Sequence, residues 1–245
     1  MNGENNNHLF HAGVVLAIGL VISSMVLGWF YTHGKKGDEA VTVTGSARKR
    51  IKSNLVVWSA GISSQAPQLS EAYRQLTQNV PRIKQYLISK GVAENQMTIS
   101  SISSTTLHGR DAEGNESSEI TGYSLRQQVE VRSNDVYRIE QIAREATELI
   151  DQGILLESSP PQYSYTQLGD LKIEMLGEAA KDAKTRAEQI AASTGNKIGT
   201  LRSAKMGVMQ ITAADSTDVS DSGISDTSSI DKDMTAVVNI SFAVE

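Results

Sequence analysis

The stretch from Gly122 to Gly153 changes its hydrophobic period halfway along. Over residues 125–131 apolar and polar side chains alternate, which predicts a half-buried strand. Over residues 136–150 apolar side chains recur every three or four positions, which predicts a helix with one apolar stripe. Asn134 or Asp135 is expected to cap this helix, and the glycine that closes the stretch is expected to end it. A strand running directly into a helix predicts that the helix packs on the strand's own sheet.

The same two periods predict the other elements. Alternation indicates strands near residues 41–44, 55–60, 99–102, 154–165, 200–211 and 235–245. Helical spacing indicates helices near 68–90 and 171–194, and Pro81 is expected to kink the first of them or to begin a new segment. The pattern predicts an α+β fold, a mostly antiparallel sheet packed with about three helices.

Residues 12–32 are uncharged and predominantly apolar. At a rise of about 1.5 Å per residue, such a run matches a hydrocarbon core of roughly 30 Å, so it predicts one N-terminal transmembrane helix. A cleaved secretory signal is the alternative, but no basic residue precedes the run and no A-x-A sequence follows it. The expected organisation is a polar tail at 1–11, the anchor at 12–32, a linker at 33–40 and one domain at 41–245.

Small residues follow one side of the predicted membrane helix, at Gly13, Ala17, Ser24 and Gly28. Such a face allows close approach of two membrane helices, which predicts self-association. The alternative is that small residues are simply frequent in membrane helices. The basic residues near the anchor all follow it, so the positive-inside tendency by itself would place the main body in the cytoplasm.

Composition excludes several classes of function. The formal charge of −5 is spread along the chain, so no nucleic-acid partner is expected. The absence of cysteine excludes disulfides, thiolate catalysis and Cys-based zinc sites. Of the histidines only His108 lies within the main body, and the sequence has no G-x-S-x-G motif. No catalytic residue, metal ligand or cofactor site is therefore assigned.

Three charged segments each allow two interpretations. The basic segment 48–52 is expected to be a solvated turn, with contact to anionic lipid as the alternative. The turn at 109–118 carries acidic residues but lacks the order of a calcium loop, so an exposed turn is expected. The Ser/Asp-rich segment at about 214–233 predicts a mobile loop, with cation binding as a further interpretation.

The helix near 171–194 has an unusually small apolar stripe. Its members are Ala179, Ala180, Ala183, Ala187 and Ala191. Small side chains let a helix lie close to a sheet or to another subunit, and plain helix propensity is the alternative explanation.

Four segments carry a resemblance to a known family. They are VTVTGSA in the first strand, KGV followed by ENQMTISSIS, ITGYSLRQQVEVRSND, and AAKDAKTRAEQIAASTGNKIG. In this order and spacing the chain resembles the SIMPL-domain family, which includes bacterial YggE-like envelope proteins, over about residues 40–245. Gly45, Gly122 and Tyr123 form part of this signature. One departure is clear, since many members carry a Pro-Asp pair where this chain has Lys52, Ser53 and Asn54.

The resemblance implies an α+β fold, residence in the cell envelope and large ring-like homo-oligomers in some members. It also implies a link of some members to oxidative or envelope stress, and it supplies no established catalytic residue. Because envelope members place this domain outside the cytoplasm, the resemblance implies a body in the periplasm or exterior, against the charge tendency.

Three classes of function follow as hypotheses. The leading one is a membrane-anchored, non-catalytic scaffold that assembles with itself, with membrane lipid and a membrane protein as further partners. The second is an accessory subunit that regulates another membrane protein, such as a protease or transporter. The third is an unrecognised hydrolase, which is disfavoured because no base lies near a candidate nucleophile in the sequence.

Overall fold

The N-terminal segment forms helix α1, Glu4–Lys35. The computed structural model describes residues 4–35 and 39–245, and within α1 it describes side chains from Gly13 to Trp29. The remaining residues of the predicted tail, anchor and linker lie outside this description. In the described part of the chain, no helix is both long enough and apolar enough to cross a membrane. The helix is confirmed, and the membrane span stays a prediction.

The rest of the chain alternates short strand groups with helices. In chain order the elements are β1 (Ala40–Lys52), β2 (Leu55–Ala66), α2 (Leu69–Ser89), β3 (Met97–Ile99), β4 (Ser103–Arg110), β5 (Glu116–Ser133), α3 (Val136–Glu145), α4 (Glu148–Asp151), β6 (Leu155–Ser158), β7 (Gln162–Ser164), α5 (Leu168–Ser193), β8 (Ile198–Met206), β9 (Gln210–Ala213) and β10 (Asp231–Val244). The strands form two sheets with antiparallel registers. The α+β class is confirmed.

Contacts divide the chain into two compact units. The first unit comprises Met1–Ala47, Leu176–Gly207 and Val237–Glu245. Its strands follow the order β1-β10-β8, and β8 pairs with β10 from Ile198 to Met206. The part of α5 in this unit turns its alanines inward, and Ala179, Ala183 and Ala187 are fully buried.

The second unit comprises Arg48–Met175 and Val208–Ala236. Its larger sheet has the order β3-β5-β2-β6, with β4 also paired to β5 and β7 to β2. Helices α2 and α3 cover this sheet, and the core between them is built around Trp58, Leu76, Val131 and Ile139. In the same unit, β9 pairs with the first residues of β10.

The strand-to-helix stretch lies at the centre of the second unit. Strand β5 pairs with β2 from Tyr123 to Ser133, and α3 follows directly. The Asp135 carboxylate accepts a hydrogen bond from the Arg138 amide at 3.2 Å, so Asp135 is the cap. Gly153 has a φ of +79°, the left-handed geometry expected at the end of the stretch. The predicted single helix is wrong in detail, since it is interrupted between α3 and α4.

Two further boundaries differ from the sequence prediction. The strand predicted at 200–211 is two strands, β8 and β9. The final strand begins at Asp231, inside the segment predicted as a loop. This early start has a physical reason, because two charged residues at its beginning are buried against counter-charges.

Candidate functional site

Within the second unit, the basic residues at the end of β1 pair with carboxylates. The pairs are Arg48 with Asp233, Lys49 with Glu174, Arg50 with Asp215 and Asp233, and Lys52 with Asp231. The interpretation of 48–52 as a turn is wrong, although its basic side chains remain about half exposed or more. These residues continue a strand, and the turn is confined to Ser53 and Asn54. Because the cations already have carboxylate partners, contact with anionic lipid is less favoured.

Asp233 is the centre of this cluster. Its side chain is only 2% exposed, yet it accepts hydrogen bonds from Arg50 Nε at 2.6 Å and from Arg48 Nη2 at 2.5 Å. The backbone amide of Asp215 donates a further hydrogen bond at 2.9 Å. The Arg50 guanidinium is the main reason that the pKa of Asp233 lies well below its usual range. The carboxylate is thus held in its charged form.

The preceding residue, Lys232, forms a second buried ion pair. Its side chain is 1% exposed, and its Nζ donates to the Asp226 carboxylate at 2.9 Å and to the Asp226 carbonyl at 2.7 Å. Burial would raise the pKa of Asp226, but the hydrogen bonds from Lys232, Ser229 and Ser228 outweigh it and lower the pKa. The Lys232–Asp226 ion pair therefore holds the segment before β10 against the strand.

Lys232 and Asp233 are neighbours in a strand, so their side chains leave opposite faces. Lys232 holds residue 226 on one face, and Asp233 holds residue 215 on the other. These contacts fix both flanks of the Ser/Asp-rich segment. The mobility predicted for the segment as a whole stays a prediction.

A pocket of about 790 Å³ opens beside this fastened segment. It is lined by α3 and Thr147 just beyond it, by the β6–β7 region, by the end of β9 and by residues 228–231, where β10 begins. The lining residues are Glu140, Ala143, Arg144, Thr147, Ser158, Ser159, Pro160, Pro161, Tyr163, Ala213, Ala214, Ser228, Ser229, Ile230 and Asp231. We call this the α3 pocket. Its volume lies within the range of typical small-ligand sites.

Charged and aromatic groups lie together on the α3 side of the pocket. The Arg144 guanidinium is 3.1 Å from the Glu140 carboxylate, and its side chain is 73% exposed. Tyr163 is buried, and this burial, followed by the nearby Glu140 charge, raises the pKa of its phenol. The phenol, which is protonated at neutral pH as in an ordinary tyrosine, can serve as a hydrogen-bonding group.

Two serine hydroxyl groups that line the pocket form hydrogen bonds with neighbouring protein groups. Ser158 Oγ accepts a hydrogen bond from Trp58 Nε1 at 3.1 Å and donates one to the Ala143 carbonyl at 3.4 Å. Ser229 Oγ contacts the Asp226 carboxylate, which is itself paired with Lys232. The walls are tied both to the sheet and to the buried ion pair, an arrangement that favours binding by a preformed surface.

The pocket lining contains no histidine, and His108 lies at an exposed position of β4. Within residues 4–35 and 39–245 no group of three or more His, Cys, Asp or Glu side chains is placed to hold a metal ion. The acidic turn forms around Asp111, whose carboxylate accepts hydrogen bonds from the Glu113 and Asn115 amides. Its carboxylate thus stabilises the turn itself.

The predicted alanine stripe lies inside the first unit. Ala179, Ala183, Ala187 and Ala191 are at most 3% exposed, and Ala180 is half-buried. A Cβ built on Gly45 would overlap the Ala179 carbonyl and lie 2.6 Å from the Ala183 Cβ. The buried members of the stripe therefore face β1, and they are not a free surface for a second chain.

The other predicted positions are distributed between the units. Gly13, Ala17, Ser24 and Gly28 lie on α1, where every described side chain is exposed. Gly122 lies where β2 ends, and a Cβ at this position would come within 2.9 Å of the Ala66 carbonyl. Tyr123 packs against the core of the second unit. Gly45 and Gly122, the two glycines of the family signature, thus lie where another backbone segment approaches too closely for a Cβ.

Sequence reasoning did not find Asp226, Lys232, Asp233 or the α3 pocket. Asp226 and Asp233 lie among serines and threonines, a composition that predicts a mobile loop and no buried charge. One signal was present, since Lys232 and Asp233 directly precede an alternating apolar strand. Charges at the start of such a strand become buried when the strand begins earlier than its apolar residues suggest.

A comparison with family models places this fold in a known group. Residues 41–242 match the SIMPL model, which is described as a protein of unknown function (DUF541). The chain belongs to the SIMPL family. A comparison with curated proteins gives no match. The matched segment of the SIMPL domain contains the charged end of β1, the α3 pocket and both buried ion pairs.

The structure also shows how the chain forms the β1–β2 turn, where its sequence departs from that of many SIMPL members. At the turn between β1 and β2, the Asn54 side chain donates to Thr166 Oγ1 at 3.0 Å and accepts from the Thr166 amide at 2.9 Å. Ser53 donates its amide to the Ile230 carbonyl at 2.8 Å. The turn of this SIMPL domain is therefore closed without a Pro-Asp pair.

Proposed function

We propose that this SIMPL protein is a membrane-anchored, non-catalytic envelope scaffold that assembles with itself and binds a polypeptide segment of a partner in the α3 pocket. The main observation in support of this proposal is the pocket. Hydrogen bonds connect its walls to the sheet and to the Lys232–Asp226 ion pair. Its mixture of alanine and proline surface, hydroxyls and one Arg–Glu pair suits the alternating apolar and polar groups of a polypeptide.

The membrane anchor is supported by the exposure of α1. All side chains from Gly13 to Trp29 are exposed and uncharged, including Leu16, Leu27 and Met25 at 67–71%. A helix of this composition is disfavoured in water because so much of the apolar surface of its described side chains is exposed. The Ser24 hydroxyl donates to the Val21 carbonyl at 2.9 Å, so the side chain satisfies its own hydrogen bond within the helix.

The anchor is tested by carbonate extraction of membranes that contain the full chain. The wild type is expected in the pellet, and a Leu20→Arg, Val21→Arg variant in the supernatant, because charges at the centre of a span are costly. Recovery of the wild type in the soluble fraction would overturn the anchor. A reporter fused after Glu245 tests the orientation, and we expect activity outside the cytoplasm.

Self-association of the anchor is assigned to the face of Gly13, Ala17, Ser24 and Gly28. Substitution Gly28→Leu should lower the assembled fraction in mild detergent, since a large side chain separates two closely packed helices. Gly19→Leu is the matched control, because Gly19 lies on the opposite side of the helix at 100° per residue. Equal effects of both substitutions would show that this face does not mediate self-association.

Pocket binding is tested by partner recovery from native membranes. Ala214→Trp should fill the pocket, and Arg144→Ala should remove its exposed charge, so both are expected to reduce recovery of the same partner. Arg132→Ala is the control, an exposed arginine on β5 away from the pocket lining. Unchanged recovery in both pocket variants would contradict the binding role.

The accessory-subunit function is a second candidate, favoured by the same open pocket. Purification from the native membrane separates the two proposals. A scaffold that assembles with itself is expected to be recovered mainly as copies of this chain, whereas an accessory subunit is expected in fixed ratio with another membrane protein.

A further inference from the structure

Strands β4 and β5 continue beyond the sheet of the second unit as a two-stranded arm, residues 107–122. Strand β5 pairs with β2 only from Tyr123 onward, so the arm consists of the β4–β5 pairing alone. Every residue from Ser103 to Thr121 is exposed or half-buried. A two-stranded ribbon is marginally stable by itself in water, so a docking partner would stabilise the arm.

The arm combines acidic charge with one exposed apolar group. It carries Asp111, Glu113, Glu116 and Glu119 against Arg110, a formal charge of −3 at neutral pH. Ile120, near the middle of its second strand, is 54% exposed. A matching surface should therefore be basic and should offer apolar side chains.

Strand β8 of the first unit has these properties. It lies at the edge of the order β1-β10-β8, and all its residues from Thr200 to Met206 are exposed. Leu201 and Met206, at 58% and 64% exposure, stand beside the buried Phe242 and Val238 of β10. The apolar row of the sheet thus continues onto an uncovered strand.

The charge of β8 is opposite to that of the arm. Residues 197–206 contain Lys197, Arg202 and Lys205 and no acidic residue. The Glu245 side chain lies close to Gly199, so the basic character is strongest toward Met206. Like charges disfavour pairing of two β8 strands or of two arms, whereas an arm and a β8 strand attract.

We propose that the acidic arm of one copy binds along β8 of a second copy, with Ile120 against Leu201 and Met206 and the arm carboxylates near Lys205. This inference rests on the proposed self-assembly and names its surface. The two surfaces differ, so the contact is head-to-tail and generates a ring if the rotation closes, or an open chain if it does not.

Cysteine crosslinking tests the contact directly, because the chain has no native cysteine. Full-length Ile120→Cys and Leu201→Cys variants with different tags are co-expressed and oxidised in mild detergent. The expected product is a disulfide-linked dimer that carries both tags. Tyr137→Cys, with the same 54% exposure as Ile120, replaces the arm variant as the control. Mixed dimers no more abundant than in the control would overturn the inference.

Charge reversal provides an independent test by native mass measurement. Lys205→Glu and Glu119→Lys should each raise the apparent dissociation constant of the assembly by about tenfold or more, because like charges then meet. The double variant should recover assembly, and Lys172→Glu, an exposed lysine on α5, should leave it unchanged.

The outcomes separate the two proposals. If the wild type is monomeric, both self-assembly and the arm contact fail. If the wild type assembles but none of the arm or β8 variants changes the assembly, the arm contact fails and the scaffold stands.

Discussion

Asp233 accepts hydrogen bonds from two guanidinium groups and one backbone amide although its side chain is almost excluded from water. A buried carboxylate requires such partners, because an uncompensated buried charge is costly. The two arginines are about half exposed, so they keep part of their hydration while neutralising the acid. The Asp233 side chain therefore joins β1, β10 and the Asp215 backbone through its hydrogen bonds.

Substitution Asp233→Asn should destabilise the second unit by about 2 kcal/mol, since two arginines lose their shared counter-charge. The free energy of unfolding is measured by urea titration of the full chain in detergent. Asp221→Asn, an exposed acid of the same segment, is the control and should have little effect. Equal stability of the two variants would contradict the role of Asp233.

Acid should weaken the same contact. The folded pKa of Asp233 is lowered, so its contribution is complete above the unfolded aspartate pKa of about 3.9 and is lost as the pH falls toward the folded value. Asp226 contributes with the same sign. We expect stability to fall below about pH 4, and the fall to be shallower in Asp233→Asn. An identical pH profile in both proteins would exclude Asp233 as a source of acid sensitivity.

Gly45 has a different role, because it gives α5 room to approach β1 within the first unit. Gly45→Ala should destabilise by about 1–3 kcal/mol, since its Cβ would overlap helix backbone atoms that cannot rotate away. Gly177→Ala is the control, with no heavy atom within 4 Å of its added Cβ, and it should stabilise α5 slightly. Thermal unfolding of both variants tests the prediction, and a neutral Gly45→Ala would show that the helix can shift.

At the scale of elements, the Lys232–Asp226 pair fixes the segment that forms one wall of the α3 pocket. Lys232→Met should destabilise by about 3 kcal/mol, because the Asp226 charge is left without its partner. The double variant Lys232→Met, Asp226→Asn should recover part of this loss. Urea unfolding of the three proteins gives the coupling, and an additive result would contradict a paired role.

Elements with strong periodicity could be predicted from the sequence. The apolar stripe of α2 and the β5-to-α3 stretch follow from local patterns, and the structure has both. Pro81 does not end α2, which continues to Ser89. Helix boundaries and the α3–α4 interruption depend on tertiary contacts that no local window contains.

The candidate site could not be predicted in the same way. Arg48 and Arg50 are 185 and 183 residues from Asp233 in sequence, and they meet it because β1 lies beside β10. The pocket depends on α3, the β6–β7 connection and the segment before β10, none of which carries a chemical motif of its own. Periodicity predicts which face of an element is buried, but not which buried charges will meet.

At the scale of the whole molecule, the proposed contact between arm and β8 is electrostatic in part. Raising the salt concentration from about 0.05 M to 0.5 M should therefore decrease the assembled fraction, because the screening length falls well below about 10 Å. Native mass measurement over this range tests the prediction. Assembly that is unchanged or strengthened by salt would indicate a contact dominated by apolar surface.

The neighbouring charges at the start of β10 also have a consequence for folding accuracy. Strand registers can slip by one residue, and each slip exchanges the two faces. A one-residue slip here would turn Lys232 toward the arginines of β1 and Asp233 toward Asp226, so like charges would meet on both sides. The misaligned strand would therefore be less stable than the native one, because buried like charges repel and its apolar residues would face the wrong side. The opposite charges of Lys232 and Asp233 thus favour the native alignment of β10 over alignments shifted by one residue.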